Sequence, residues 1–447
     1  MIRLAKFISA TLIAIIQVTM GSSNIAAQDT IKHITLSEAT IAILSNSRAV
    51  KLAELEQSIA RSNYKTTEAI YLPHVGLTYT AIRTNNPLNA FGLKLQQKSI
   101  TQFDFNPDLL NHPQGITDFA TTLKVEQPIL NLELVNKRQA SGKQIEVYQF
   151  KTQRTKEYLT FEVHKAYLEL EMAYHAVVVL REALRTAQSV YRDNKNRFEQ
   201  GLIQKSDLLD AQLNITSTES SLAIAESNIR NASDYLGLLM GKGDGITYTV
   251  DSIRQTEILA TEIPLNIAAS RSDFLAMQKS IEASDLMIKA NKMSYLPKVN
   301  AFGSYQLNDK RILGFGANAY IAGVQVSWDI FQGNKTRNAI IIQTLERNKL
   351  SEELSQQKEQ SQLELNKAYR DLSDAQFNVI HQKLAIEQAA ESLLIMQNRF
   401  QQGLVSTTEV LRSATQLSQQ KFSMLKAMFT ISLTKAYIQL LTASANK

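Results

Sequence analysis

The chain has 447 residues, 44% of them hydrophobic and 20% charged, which is enough apolar material to bury a sizeable core and too much for a disordered chain. Cysteine is absent, which excludes disulfides, thiolate metal sites, cysteine nucleophiles and lipidation on cysteine. Lysine and arginine outnumber the acids 48 to 42, a net charge of +6 that is scattered along the chain and forms no stripe for nucleic acid.

The N-terminus has the layout of a secretory signal peptide over residues 1–27. Arg3 and Lys6 form a basic start, Phe7 to Val18 an apolar stretch, and Ile25-Ala26-Ala27 a small-residue end. The apolar core, about 12 residues, is too short to span a bilayer as a helix. Its removal leaves a mature chain of net charge +4.

A first repeat is read over 28–240. Thr35 and Glu38 form a capping box that opens a leading helix. After Pro73, Val75, Leu77 and Tyr79 alternate with Gly76, Thr78 and Thr80; Phe119, Thr121, Leu123 and Val125 repeat that period of two. These runs form a strand pair within 73–128. Between them Asn85 to Ile116 carries Pro87, Pro107 and Pro113 with Phe91, Phe103 and Phe105, and reads as a long surface loop.

No proline occurs from 129 to 263, and Gly201 is the only glycine between Lys143 and Leu236. Because glycine and proline interrupt helices, long helices are expected over about 131–198 and 205–240. Leu159, Val163, Ala166, Leu170, Ala173, Val177, Leu180, Leu184, Ala187 and Tyr191 follow a 4,3 spacing, the seam of a coiled coil. A connector covers 241–263.

The second repeat, 264–447, has the same plan: a leading helix, a strand pair within 298–329, and long helices over about 334–399 and 406–442. Its strands alternate through Val299, Ala301, Gly303 and Tyr305, then Tyr320, Ala322, Val324, Val326 and Trp328. Gly403 is the only glycine between Asn334 and Lys447. The seam recurs 202 positions on, as Leu365, Ala368, Leu372, Ala375, Val379, Ile386, Ala389 and Leu393, with a polar break at Gln382.

Local matches confirm a duplication. Arg197-Phe198-Glu199-Gln200-Gly201-Leu202-Ile203 parallels Arg399-Phe400-Gln401-Gln402-Gly403-Leu404-Val405, and Tyr71-Leu72-Pro73-His74-Val75 parallels Tyr295-Leu296-Pro297-Lys298-Val299. Four strands cannot close a barrel, and lipid tolerates no open sheet edge. If the strands cross a membrane, several chains close the sheet together. Tyr71, Tyr79, Tyr295, Tyr305, Tyr320 and Trp328 are then candidates for an interfacial girdle; a soluble hairpin packed on the helices is the other reading of the same pattern.

The chain resembles the TolC-like outer-membrane efflux proteins over essentially its whole mature length. The resemblance rests on the paired Tyr-Leu-Pro-x-Val segments, the Trp328-Asp329-Ile330-Phe331-Gln332-Gly333-Asn334 passage from strand to helix, and the two Arg-Phe-x-x-Gly-Leu turns. It implies a mainly α chain with a membrane β-barrel part: long antiparallel coiled-coil helices plus four strands per chain. It further implies a homotrimer with a twelve-stranded barrel in outer-membrane lipid, continued by an α-helical tunnel across the periplasm. The implied partners are a periplasmic adaptor and an inner-membrane transporter, and the implied function is a passive exit channel for small molecules.

The same resemblance makes Arg197, Phe198, Gly201, Leu202, Ile203, Arg399, Phe400, Gly403, Leu404 and Val405 an adaptor-docking tip. It makes Asp207, Asp210 and Glu409 candidate entrance-gate acids, with Arg412 where the family pattern has another acid. It also places the 85–116 segment outside the cell, where folding over the mouth is one option. The plainer readings stand beside these. Both glycines suit helix ends that need positive φ, Ser406 with Glu409 reads as a capping box, and Asp207 complements a helix N-terminus.

The six histidines, at 33, 74, 112, 164, 175 and 381, show no metal-ligand spacing, and no phosphate loop or GxSxG elbow is present. The expectation is therefore no enzyme, no metal and no cofactor. An exit duct for type I protein secretion and a structural periplasmic coiled-coil protein remain as alternatives.

Overall fold

The structure is a computed structural model that describes residues 31–243, 245–251 and 266–444. The expected signal peptide and residues 252–263 of the connector lie outside the described residues. In chain order the elements are β1 (Ile31–Ile34), α1 (Leu36–Asn46), α2 (Arg48–Thr66), β2 (His74–Thr84), α3 (Pro87–Gln96), α4 (Pro107–Asn111), β3 (Ile116–Leu130), α5 (Leu132–Glu199), α6 (Lys205–Leu239), β4 (Thr247–Val250), α7 (Ser272–Met293), β5 (Lys298–Asp309), β6 (Ala317–Ser327), α8 (Lys335–Gln401) and α9 (Thr407–Thr442). Short 3-10 turns at Thr67–Ile70 and Gln102–Phe105 complete the path.

Two compact units cut across the repeats. Among the described residues, one gathers 31–48, 158–243, 245–251 and 366–440; the other gathers 49–157, 266–365 and 441–444. Each takes a matching part of both repeats, because α5 and α8 are too long for one core. They have 68 and 67 residues, each about 100 Å at 1.5 Å per residue.

In the second unit, β2, β3, β5 and β6 form one antiparallel sheet in that order. Its register aligns Leu77, Leu123, Tyr305 and Tyr320 in one row, and Val75, Val125, Gly303 and Ala322 in another. The alternate positions give rows of Thr78, Thr122, Gln306 and Ala319, and of Gly76, Lys124, Ser304 and Ile321. Since side chains alternate between faces, one face is apolar and the other mainly polar. The apolar face is exposed: Val75, Leu77, Tyr320, Val324 and Val326 all stand open to solvent in the single chain. β2 and β6 are edge strands with no further neighbour among the described residues.

The 85–116 segment departs from the loop expected for it. Asn86-Pro87 and Asn106-Pro107 each start a helix. The Asn86 and Asn106 carboxamide oxygens accept from the backbone N–H of Asn89 (3.2 Å) and Asp108 (3.0 Å), and the prolines occupy the first helical turn. Proline fits there because that turn needs no N–H partner. α3 folds back across the sheet, packing on β3 and β6. The Gln97 amide donates to Asp118 Oδ1 (2.8 Å), and Asn308 donates to Asp118 Oδ2 (2.7 Å). Asp118 and Asn308 are buried there, on the mainly polar face.

The helical part of this unit centres on a buried cation. The Arg271 guanidinium donates twice to the Asp273 carboxylate (2.7 Å each), to Ser361 Oγ (2.7 Å) and to the Leu441 carbonyl (3.3 Å). Burial alone would raise the Asp273 carboxyl, but the hydrogen bonds and charge of Arg271 bring it below its ordinary value.

The other unit is held by the expected seam. Leu159, Val163, Ala166, Leu170, Val177 and Ala187 are buried, as are Ala368, Leu372, Ala375, Ala389 and Leu393. It also contains a sheet that sequence reasoning missed: β1 pairs with β4 in parallel, which makes six strands among the described residues where four were expected. Strands of four residues carry too little alternation to be read. Tyr167 fixes this sheet, its hydroxyl donating to the Ile34 carbonyl (3.3 Å) and accepting from Asp251 N–H (2.9 Å).

Candidate functional site

α5 and α8 end in the same motif. Gly201 and Gly403 have φ of +71° and +74°, a conformation glycine adopts without a Cβ penalty. Around the first, Gly201 N–H donates to the Phe198 carbonyl (2.9 Å) and Leu202 N–H to the Arg197 carbonyl (2.9 Å). Around the second, Gly403 N–H reaches Phe400 (2.9 Å) and Leu404 N–H reaches Arg399 (3.0 Å). Both are Schellman caps, which satisfy the last carbonyls of the helix. No side chain lies within 4 Å of where a Cβ would sit on either glycine, so φ alone selects the residue.

The first unit brings the two turns together. The Arg197 guanidinium lies over the Phe400 ring (4.4 Å to the centroid) and donates to the Gln401 carbonyl (2.8 Å). Phe400 is buried with Val190, Leu393 and Val410, and Val405 and Leu411 pack against this cluster. Of the apolar residues assigned to the tip, Val405 therefore turns partly inward, and Ile203 is half-buried. Leu202 and Leu404 are 67% and 68% exposed and project from the turns. An exposed leucine on a rigid, capped turn can anchor a partner at little ordering cost.

Asn194 joins three helices here and was not singled out from the sequence. Its amide donates to the Asp207 carbonyl (3.0 Å), and its carbonyl accepts from Thr407 Oγ1 (3.1 Å). Both side chains are buried. The signal was available: Asn194 follows Ala187 and Tyr191 on the 4,3 spacing, and a polar residue on such a seam fixes register.

Of the gate candidates, Glu409 and Asp207 serve their own helix starts. Glu409 accepts from Ser406 N–H (2.9 Å) while Ser406 Oγ accepts from Glu409 N–H (3.4 Å). Asp207 accepts from Gln204 N–H (3.1 Å). Asp210 and Arg412 are exposed. No ion pair joins Glu409 to Arg412 among the described residues.

All six girdle candidates are exposed, Tyr320 and Trp328 the most. The Trp328 indole N–H donates to the Tyr295 carbonyl (2.9 Å), tying the end of β6 to the start of β5. Beyond it Gly333 and Asn334 both have positive φ, +60° and +64°, which turns the chain sharply from strand into α8. No group of side chains suited to a metal ion occurs among the described residues, and none of their helices is long and apolar enough to cross a membrane.

With this geometry in place the comparisons with known proteins are specific. The profile of the outer membrane efflux protein family matches residues 41–242 and 264–446. OprJ of Pseudomonas aeruginosa is 23% identical over 310 residues, covering 66% of this chain and 60% of that protein. The fusaric acid resistance protein FusA of Burkholderia cepacia is 23% identical over 198 residues, covering 40% of this chain and 36% of its own length. The chain thus spans less than two thirds of these curated relatives. Among solved structures, CusC superposes with a TM-score of 0.79 at 16% identity over 92% of both chains. The Campylobacter jejuni outer membrane channel CmeC gives 0.76 at 15% identity over 92% of this chain and 87% of that one. The chain belongs to the outer membrane efflux protein family, has its TolC-like fold, and is a protein of the outer membrane.

Proposed function

We propose that the protein is a passive, trimeric exit channel for small molecules. In this reading it works with a periplasmic adaptor and is driven by an inner-membrane transporter. The observation that carries it is the sheet of the second unit, with one apolar face, one mainly polar face and two unpaired edges. Strands of 11 to 15 residues extend at least about 36 Å; tilted about 45°, they rise about 25 Å, the height of an outer-membrane apolar band. Four strands leave both edges open, which lipid forbids. Three chains give twelve strands and no edge, with the polar faces around a water-filled lumen. α5, α6, α8 and α9 then line the tunnel that leads to it.

The exposed Leu202 and Leu404 on their capped turns support docking of the adaptor at the tip, with Arg197, Phe198, Gly201, Ile203, Arg399, Phe400, Gly403 and Val405 shaping the contact. Asp207, Asp210, Glu409 and Arg412 form the charged surroundings of the tunnel entrance. The test is purification in detergent followed by planar-bilayer recording. A heat-dissociable trimer that conducts ions is expected. A chain that is monomeric and water-soluble without detergent overturns the proposal.

A further inference from the structure

The two tips are built alike but finished differently. An offset of 202 maps Arg197 onto Arg399 and Phe198 onto Phe400. Within one chain Arg197 covers Phe400, which is 5% exposed. The reciprocal contact is not made: Phe198 is 38% exposed, and Arg399, also exposed, has no side-chain partner among the described residues. The same asymmetry extends beyond this pair. Leu411 packs on the Phe400 cluster, while its counterpart Leu209 is exposed. Val190 is buried in that cluster, while its counterpart Ser392 lines an open groove on α8 with Leu384 and Ile395. The α5 face that seats the second hairpin is thus filled, and the matching α8 face is empty.

Two hairpins of one kind alternating around a ring give each hairpin two neighbours. One belongs to its own chain and the other to the next copy. We propose that Arg399 of one chain stacks on Phe198 of the partner subunit, repeating between chains the contact that Arg197 and Phe400 make within one. Leu209 is covered by the same neighbouring α8. The attraction is that of a guanidinium for an aromatic face. The inference rests on the oligomeric reading above and deepens it by naming the side chains that join one copy to the next at the tip.

The absence of cysteine gives a clean background. Phe198→Cys in a tagged chain and Arg399→Cys in an untagged chain are co-expressed and treated with a short bismaleimide, since a side chain stacked at this range leaves the backbones too far apart for a disulfide. The expected product is a covalent heterodimer carrying one tag, with neither single variant giving it alone. Absence of that band, while the trimer persists on unheated gels, overturns the contact and leaves the trimer standing. A wild-type chain that is monomeric in detergent overturns both. A second measurement uses no cysteine. Arg399→Ala lowers the temperature at which the trimer dissociates on gels, and adding Phe198→Ala lowers it no further, because contacting residues are not additive. Fully additive losses overturn the proposal.

Discussion

Leu404→Glu separates docking from folding. Leu404 is 68% exposed and packs on nothing that a glutamate would disturb, so the fold should lose no more than about 0.5 kcal/mol, as at other open surface sites. A docked leucine is different. Burying it against an adaptor is worth about 1.5–3 kcal/mol, and a glutamate both forgoes that and places a charge in the contact. The combined loss is about 3 kcal/mol, roughly a hundredfold in affinity at each tip. Leu238→Glu is the matched control: Leu238 is also 68% exposed but lies at the far end of α6 from the turn. The assay is export of a fluorescent dye from cells that depend on this channel, with unheated gels to count trimers and adaptor co-purification to read docking. The expected result is lost export and lost co-purification for Leu404→Glu, with trimers intact and the control normal. Unchanged export and co-purification in Leu404→Glu would refute the assignment of the tip.

Arg271→Met should destabilise the purified protein by about 1.5–3 kcal/mol, because it removes the main partner of the Asp273 carboxylate and leaves only Arg154 (4.0 Å) and the Phe274 N–H (3.1 Å) beside it; the denaturation midpoint reports it, and Arg271→Met with Asp273→Leu should recover much of the loss. Glu409→Gln with Arg412→Gln is expected to raise single-channel conductance in planar bilayers while trimers persist, and an unaltered conductance would remove these residues from the entrance gate. The Lys94 ammonium, 2.6 Å away, and the Thr101 N–H and hydroxyl draw the Asp104 carboxyl from 3.8 down to about 2. A depressed folded value means this support for α3 is complete above the ordinary carboxylate range and fades as pH falls from there toward about 2. The protection of the α3 amides, taken relative to intrinsic exchange at each pH, should stay high down to about pH 4.5 and fall below it, whereas in Asp104→Asn it should be low and independent of pH.

The parts of the fold that were legible depend on exclusion or on long repetition. Gly201 and Gly403 stand alone in long glycine-free stretches, so the helix ends could be placed. The seam from Leu159 to Tyr191 is long enough for its spacing to be unambiguous. Val75, Leu77 and Tyr79 alternate over enough positions to declare a strand. Legibility failed where one residue type has two uses. Pro87 and Pro107 read as loop markers, yet after Asn86 and Asn106 they start helices. β1 and β4 are too short to show a period, and their pairing joins residues more than 200 positions apart. At the tip, the pattern names the residues but not their directions. That Val405 packs inward while Leu404 stands out depends on the cluster around Phe400, which is assembled from three helices. Asn194 was visible as a polar interruption of the seam, but its partners on α6 and α9 could be known only from the folded chain.

The open margins of β2 and β6 affect the biosynthesis of the protein as well as its final state. A freshly exported copy has to cross an aqueous compartment carrying a greasy sheet whose two borders invite any passing strand. Fusion with the wrong neighbour, in the wrong order, satisfies those borders as readily as correct closure does. On the trimeric reading proposed above, completion of the sheet and recruitment of sister copies occur as one concerted event. The rate of maturation should rise steeply with local concentration, and an escort that shields the margins until insertion would determine how much of the protein survives.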